Sequence, residues 1–280
     1  FGHGYSAKAL DTLLIPEGWR VIGTTRSSEK SIGLRARGVE ALCFPGSDLE
    51  PAIEAATHIL ISAGPDDMGD PVLNHAADAL AKARNIQWLG YLSTTGVYGD
   101  HDGGWVDENT PLAPSTTRGR NRVAAEAAWT DFAAQASLPL HIFRLAGIYG
   151  PGRGPFAKVR AGTARRIIKK KQVFSRIHVE DIARVLAASI ARPRSGAIYN
   201  VCDDDPAPPQ DVIAHAAMLL ELPIPSSVDI EDAEMSPMAR SFYAESKRVR
   251  NDLIKSELGV TLKYPDYRAG LAALLATGSQ

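Results

Sequence analysis

The chain has 280 residues, 45% of them hydrophobic and 22% charged, and its formal net charge is −1. That composition suits a folded globular chain long enough to bury its own core, and the balanced charge supplies no field to draw in nucleic acid or a membrane surface. The two cysteines exclude a disulfide framework and a C-x-x-C zinc pattern. Both Cys43 and Cys202 sit in apolar runs, so buried free thiols are expected. No apolar run reaches the ~18 residues of a membrane span, and no signal peptide is visible. A cytoplasmic protein with no membrane and no nucleic-acid partner is the expectation.

From the N-terminus, helix-like and strand-like segments alternate. Helices are expected over 7–14, 29–37, 71–84 and 118–134. Apolar runs at 19–24 (WRVIGT), 41–44, 58–63 (HILISA), 87–93 (QWLGYLS) and 140–145 (LHIFRL) suit strands covered on both faces. This alternation implies an α/β fold with a Rossmann-type, doubly wound parallel sheet. Past Tyr149 the pattern changes. Residues 151–155 (PGRGP) read as a loop, 179–191 as a helix and 197–202 (AIYNVC) as one more strand. A helix is expected over 210–220 after the PAPP break, and the Pro- and acid-rich 222–238 is left unassigned. The expected organisation is a dinucleotide-binding domain from 1–150 and 176–202. A smaller substrate-binding lobe from 151–175 and 203–280 would sit at the carboxyl edge of the sheet, where open α/β sheets bind ligands.

Gly2-His3-Gly4-Tyr5-Ser6-Ala7 fits G-x-G-x-x-A ahead of an apolar helix. In that pattern Gly2 makes the tight turn, Gly4 lets the backbone approach a pyrophosphate, and Ala7 lets helix pack on strand. The helix N-terminus then offers amides and dipole to the phosphates. Such a turn follows a strand, so a first strand ahead of Phe1 is expected. At the end of the next strand stands 24–28 (TTRSS), with no acid to hold a ribose 2′-hydroxyl. Arg26 and Ser27 suit a 2′-phosphate, which points to NADP, with NAD the lesser choice.

The middle of the chain carries a family resemblance. Residues 92–100 (LSTTGVYGD) look like the S-[ST]-x-x-V-Y-G-D segment of extended short-chain dehydrogenases/reductases. The segments 144–152 (RLAGIYGPG), 176–182 (RIHVEDI) and 199–201 (YNV) resemble that family's later elements, in order. The chain is identified as resembling an atypical, YeeZ-like subgroup of the NAD-dependent epimerase/dehydratase superfamily. The resemblance implies a cofactor site at Gly2, Gly4, Tyr5, Ser6, Ala7, Arg26, Ser27, Ala63, Gly64, Ser93, Arg122 and Ala146. It makes Thr94 the catalytic hydroxyl. It places Arg122 on the lysine and Arg118 on the tyrosine of the family's Tyr-x-x-x-Lys pair.

The tyrosine acid is therefore absent. Tyr149, Tyr98, His101 and Asp100 are candidate stand-ins by position in the motifs, Tyr149 foremost. Arg118, Arg153, Arg165 and Arg166 are candidate ligands of an anionic substrate, the last two within the basic stretch 160–171, which reads otherwise as a solvated helix face. His178 stands before an acidic pair with no second ligand spaced for a metal, so no metal is expected. Two functions compete. One is an NADP-dependent reductase, epimerase or dehydratase acting on an anionic, sugar-linked small molecule. The other is a non-catalytic NADP-binding sensor. The sequence leaves homo-oligomerisation open.

Overall fold

A computed structural model describes residues 1–278. Its helices are α1 (Tyr5–Leu14), α2 (Ser28–Arg35), α3 (Glu50–Ala55), α4 (Pro71–Lys82), α5 (Thr117–Ala136), α6 (Phe156–Arg160), α7 (Val179–Ala191), α8 (Pro209–Leu219), α9 (Pro237–Tyr243), α10 (Asp252–Ser256) and α11 (Tyr267–Ala276). The strands are β1 (Ile22–Thr25), β2 (Glu40–Cys43), β3 (His58–Ile61), β4 (Trp88–Thr94), β5 (Trp105–Val106), β6 (Leu140–Leu145), β7 (Gly147–Tyr149), β8 (Arg166–Ile168), β9 (Arg176–His178), β10 (Ile198–Val201), β11 (Ser227–Asp229) and β12 (Arg248–Val249). The fold is α/β, and every strand pair among the described residues is parallel.

Four strands form the main sheet in the order β10-β6-β4-β3, and β1 pairs with β2 beside it. Phe1 lies between the two groups. Its amino nitrogen donates to the Leu60 carbonyl at 2.7 Å, and its own carbonyl accepts from Ser62 N–H at 2.9 Å. On the other side, His3 N–H donates to the Thr24 carbonyl at 2.9 Å. A cavity of about 270 Å³ runs below Phe1 between β1 and β3, lined by Ile22, Leu42, Ile53, Ile59 and Leu60.

Alternating side chains bury both faces of the sheet, as a period of two requires. Trp88 and Leu92 of β4 join Phe143 and Leu145 of β6 in a core covered by α1 and α7. Leu89 and Tyr91 join Leu140 and Ile142 on the opposite face, under α3, α4 and α5. A third core, with Tyr149, Phe156, Val159, Val212, Ala216, Tyr267 and Leu271, belongs to the segments after β6. The C-terminal stretch is not confined to that core: Ile254, Leu258, Val260 and Leu262 pack on the first face of the sheet.

Two sequence expectations need correction. Cys43 is exposed, because it ends an edge strand, whereas Cys202 is buried and its thiol donates to the Val249 carbonyl. The basic stretch holds a short strand where a helix face was expected: β8, with Arg166, pairs with β11. The unassigned 222–238 supplies β11 itself.

Candidate functional site

The glycine turn is locked to the ends of two strands. Gly2 N–H donates to Thr24 Oγ1 at 2.9 Å on β1. On the β3 side, a Cβ on Gly2 would lie 2.6 Å from the Ala63 nitrogen, and φ is +72°. Only glycine satisfies both the close approach and the positive φ. Gly4 then starts α1 with no side-chain cap and no acid in the first turn. The amides of Tyr5, Ser6 and Ala7 thus end the helix without an acceptor from a cap, at its positive pole. Ser6 and Ala7 are buried, so the helix start sits tight against the sheet. An anion approaching over Gly2 and Gly4 meets backbone amides and the helix dipole, which fits a dinucleotide pyrophosphate.

Beside this turn, β1 delivers Arg26 to the surface, and Ser27 caps α2 by accepting from Lys30 N–H at 3.4 Å. The strand end carries no carboxylate between Thr24 and Ser28. Arg26 is therefore an exposed cation near the turn that the Thr24 bonds define. His3 packs inward, its Nε2 2.8 Å from Asp11 Oδ2, and so ties the turn to α1.

At the end of β4, Thr94 Oγ1 accepts from Gly96 N–H at 3.2 Å and remains half-buried. Arg122 reaches the same strand from α5. It donates to Tyr91 Oη at 3.0 Å and to the Leu92 carbonyl at 2.7 Å, with its guanidinium carbon 5.5 Å from the centre of the Tyr91 ring. Its Nη2 lies 3.4 Å from where a Cβ on Gly64 would stand, at the exposed end of the β3 loop. Arg122 thus spans from β4 to the rim beside Ala63 and Gly64, where it can donate to a ribose hydroxyl. Arg118 is exposed in the first turn of α5, one turn earlier on the same helix. Ala146 follows β6 directly, after Thr94's cross-strand partner Leu145, with its N–H on the Val201 carbonyl.

The stand-in acids are all committed elsewhere. Tyr149 is buried in the third core; its hydroxyl donates to the Asp266 carbonyl at 3.3 Å and its ring meets His178 edge-on at 5.1 Å. Burial, then the nearby Asp203, pushes its pKa far up. Tyr98 is fully buried and donates to Asn200 Oδ1 at 2.7 Å while accepting from Arg144 at 3.0 Å. Burial pushes it up to about 12. The carboxylate of Asp100 accepts from Ser246 N–H at 2.7 Å, and His101 Nε2 lies 3.2 Å from the Tyr98 carbonyl. Tyr98, Asp100 and His101 instead help to build the loop after β4, and Tyr149 packs the third core.

Ser93, expected beside the cofactor, gives its hydroxyl to Glu126. Glu126 in turn takes Arg144 Nη2 at 2.8 Å, both groups being buried. This pair anchors α5 to β6 beneath the site. Sequence reading missed it, along with Thr24 and Tyr91. Glu126 follows the alanine at which the family motif was aligned, but nothing local shows that Arg144 lies across from it.

Towards the lobe, Arg153 is exposed on the loop after β7. Arg165 is exposed and Arg166 half-buried at the start of β8. Two lysines of the stretch are tied down: Lys169 donates to the Tyr243 carbonyl and Lys171 pairs with Asp102 at 2.5 Å. Among the described residues no cluster of three His, Cys, Asp or Glu is placed to hold a metal, and no helix is long and apolar enough to cross a membrane.

The NAD dependent epimerase/dehydratase family model matches residues 71–202. A functionally unknown conserved protein from Silicibacter pomeroyi DSS has a similar structure, with a TM-score of 0.93 and 60% identity over 100% of this chain and 98% of that one. The protein YeeZ of Escherichia coli K12 is 29% identical over 279 residues, 95% of each chain. The UDP-glucuronic acid 4-epimerase from Bacillus cereus, solved in complex with NAD, shares the fold at a TM-score of 0.77 and 15% identity, over 96% of this chain and 94% of that one.

Proposed function

We propose that the chain is a member of the NAD-dependent epimerase/dehydratase family, whose model matches residues 71–202, and that it binds a nicotinamide dinucleotide, NADP in preference to NAD, and acts on an anionic, sugar-linked small molecule. The observation that carries this reading is the glycine turn bonded to Thr24 with Arg26 exposed at the end of the same strand. The turn and the start of α1 would take the pyrophosphate. Arg26 and Ser27 would take the 2′-phosphate, and Arg122 the nicotinamide ribose. When bound, the nicotinamide supplies a hydride donor or acceptor. Thr94 then orients the reacting oxygen of the substrate from the end of β4. Arg118, exposed one helical turn before Arg122, offers a fixed positive charge to an anionic group. A guanidinium does not give up its proton, so Arg118 cannot replace the tyrosine as a proton shuttle. The bacillary epimerase named above acts on a UDP-sugar acid, which supports the sugar-linked substrate class.

A second reading is a non-catalytic NADP-binding sensor. Arg118 at the tyrosine position and the engagement of Tyr98 and Tyr149 in packing favour it. NADPH oxidation against a panel of carbonyl and nucleotide-sugar substrates separates the two. Turnover supports the enzyme; tight NADPH binding with no turnover supports the sensor. Failure to bind either dinucleotide overturns both.

A further inference from the structure

The loop after β7 folds back over the start of α1. Gly150 N–H donates to the Arg153 carbonyl at 3.0 Å and Arg153 N–H to the Gly150 carbonyl at 2.9 Å, which closes a tight turn on Pro151 and Gly152. Tyr5, the first residue of α1, donates its hydroxyl to the Pro151 carbonyl at 2.9 Å. The Arg153 guanidinium carbon lies 5.8 Å from the centre of the Tyr5 ring. Gly150 makes this possible: a Cβ there would lie 2.6 Å from Tyr5 Oη and 2.8 Å from Val179 Cγ1, and φ is +151°.

Arg153 has no carboxylate within ion-pair distance among the described residues. Glu180, whose charge acts on Tyr5, is held by Lys263 at 2.7 Å. His178 is 1% exposed, and its Nδ1 accepts from Glu180 N–H at 3.3 Å, so Nε2 carries the proton. That Nε2–H is buried without a hydrogen-bond partner, 3.4 Å from the Cβ position of Gly150. A cation at the positive end of a helix is unfavourable by itself, and an anion between the two reverses the sign. Arg153 and the uncapped amides of α1 thus flank Tyr5, the His178 donor lies against Gly150, and Glu180 is already paired with Lys263.

We propose that Arg153 is a ligand of the dinucleotide's diphosphate bridge, closing over it from the lobe side while α1 holds it from below. This rests on the dinucleotide reading and moves Arg153 from the substrate to the cofactor. The Tyr5–Pro151 bond keeps the turn in place over the start of α1.

Calorimetric titration with NADPH, ADP-ribose and adenosine 2′-monophosphate tests it. ADP-ribose keeps the diphosphate and lacks nicotinamide; the monophosphate has no diphosphate. Arg153→Ala should weaken NADPH and ADP-ribose by about tenfold to a hundredfold, the scale of a charge-assisted bond, and leave the monophosphate unchanged. Arg153→Lys should recover part of the loss. Wild-type ADP-ribose affinity in Arg153→Ala overturns the proposal and leaves the dinucleotide reading standing. An equal loss for the monophosphate also overturns it, since the effect is then general. If the wild-type protein binds neither NADPH nor ADP-ribose, the dinucleotide reading itself fails.

Discussion

Arg122 donates to the Tyr91 hydroxyl at 3.0 Å, and Arg118 stands exposed one turn before it on α5. The two arginines hold the positions where the family resemblance places a lysine and a tyrosine. The first can still donate hydrogen bonds to a ribose; the second cannot shuttle a proton. Arg118→Tyr with Arg122→Lys should therefore raise NADPH-dependent carbonyl reduction. The ceiling is the ~10²–10⁴ that a general acid contributes. The assay is initial NADPH oxidation with the best substrate of the panel. An unchanged rate would mean that the proton comes from a group outside this pair.

Tyr149 should be dispensable for chemistry. Its hydroxyl faces the Asp266 carbonyl within the third core, and burial holds it protonated. Tyr149→Phe removes one hydrogen bond, worth ~0.5–1.5 kcal/mol of stability. Turnover and NADPH affinity should stay as they are, while the midpoint of thermal unfolding falls slightly. A large loss of turnover with normal stability would return Tyr149 to the catalytic set.

The buried Glu126–Arg144 pair should be costly to break. Both side chains are about 95% buried, with the Ser93 hydroxyl also on Glu126. Glu126→Ala strands the Arg144 charge in the interior and should cost ~3–5 kcal/mol in urea unfolding. A change below ~1 kcal/mol would show that water reaches Arg144 and that the pair does not anchor α5.

Stability should depend on pH through Asp203. Its carboxyl is 1% exposed at the end of β10. Burial raises its pKa from 3.8 to about 8, although the neighbouring Arg176 pulls it back down. The folded state therefore holds a proton that the unfolded chain releases near pH 4. From that pH upward the contribution becomes less favourable until about pH 8, and then it levels. Asp203→Asn should flatten this part of the pH profile in thermal unfolding and gain most at pH 8. Parallel profiles for the two proteins would show that Asp203 is already ionised at neutral pH.

The glycine turn, the helix behind it and the apolar strands were legible because each is written in local spacing. So was the absence of an acid beside Arg26. The packing of Tyr149 was not legible, for the opposite reason. Whether Tyr149 faces Thr94 or His178 depends on how the third core packs, and no local pattern encodes that. Thr24 reads as an ordinary β-branched strand residue until its bonds to Gly2 and His3 are seen. The exposure of Cys43 follows from β2 lying at the sheet edge, which is a property of strand order.

The central claim is that Arg26, at the end of β1, selects NADP. Titration of the wild-type protein and Arg26→Ala with NADPH and with NADH tests it most directly. Wild type should bind NADPH more tightly than NADH. Arg26→Ala should weaken NADPH by ~1.5–3 kcal/mol, the scale of a hydrogen bond to a charged group, and leave NADH nearly unchanged. Equal affinities in the wild type, or an equal loss for both cofactors in the variant, would contradict it.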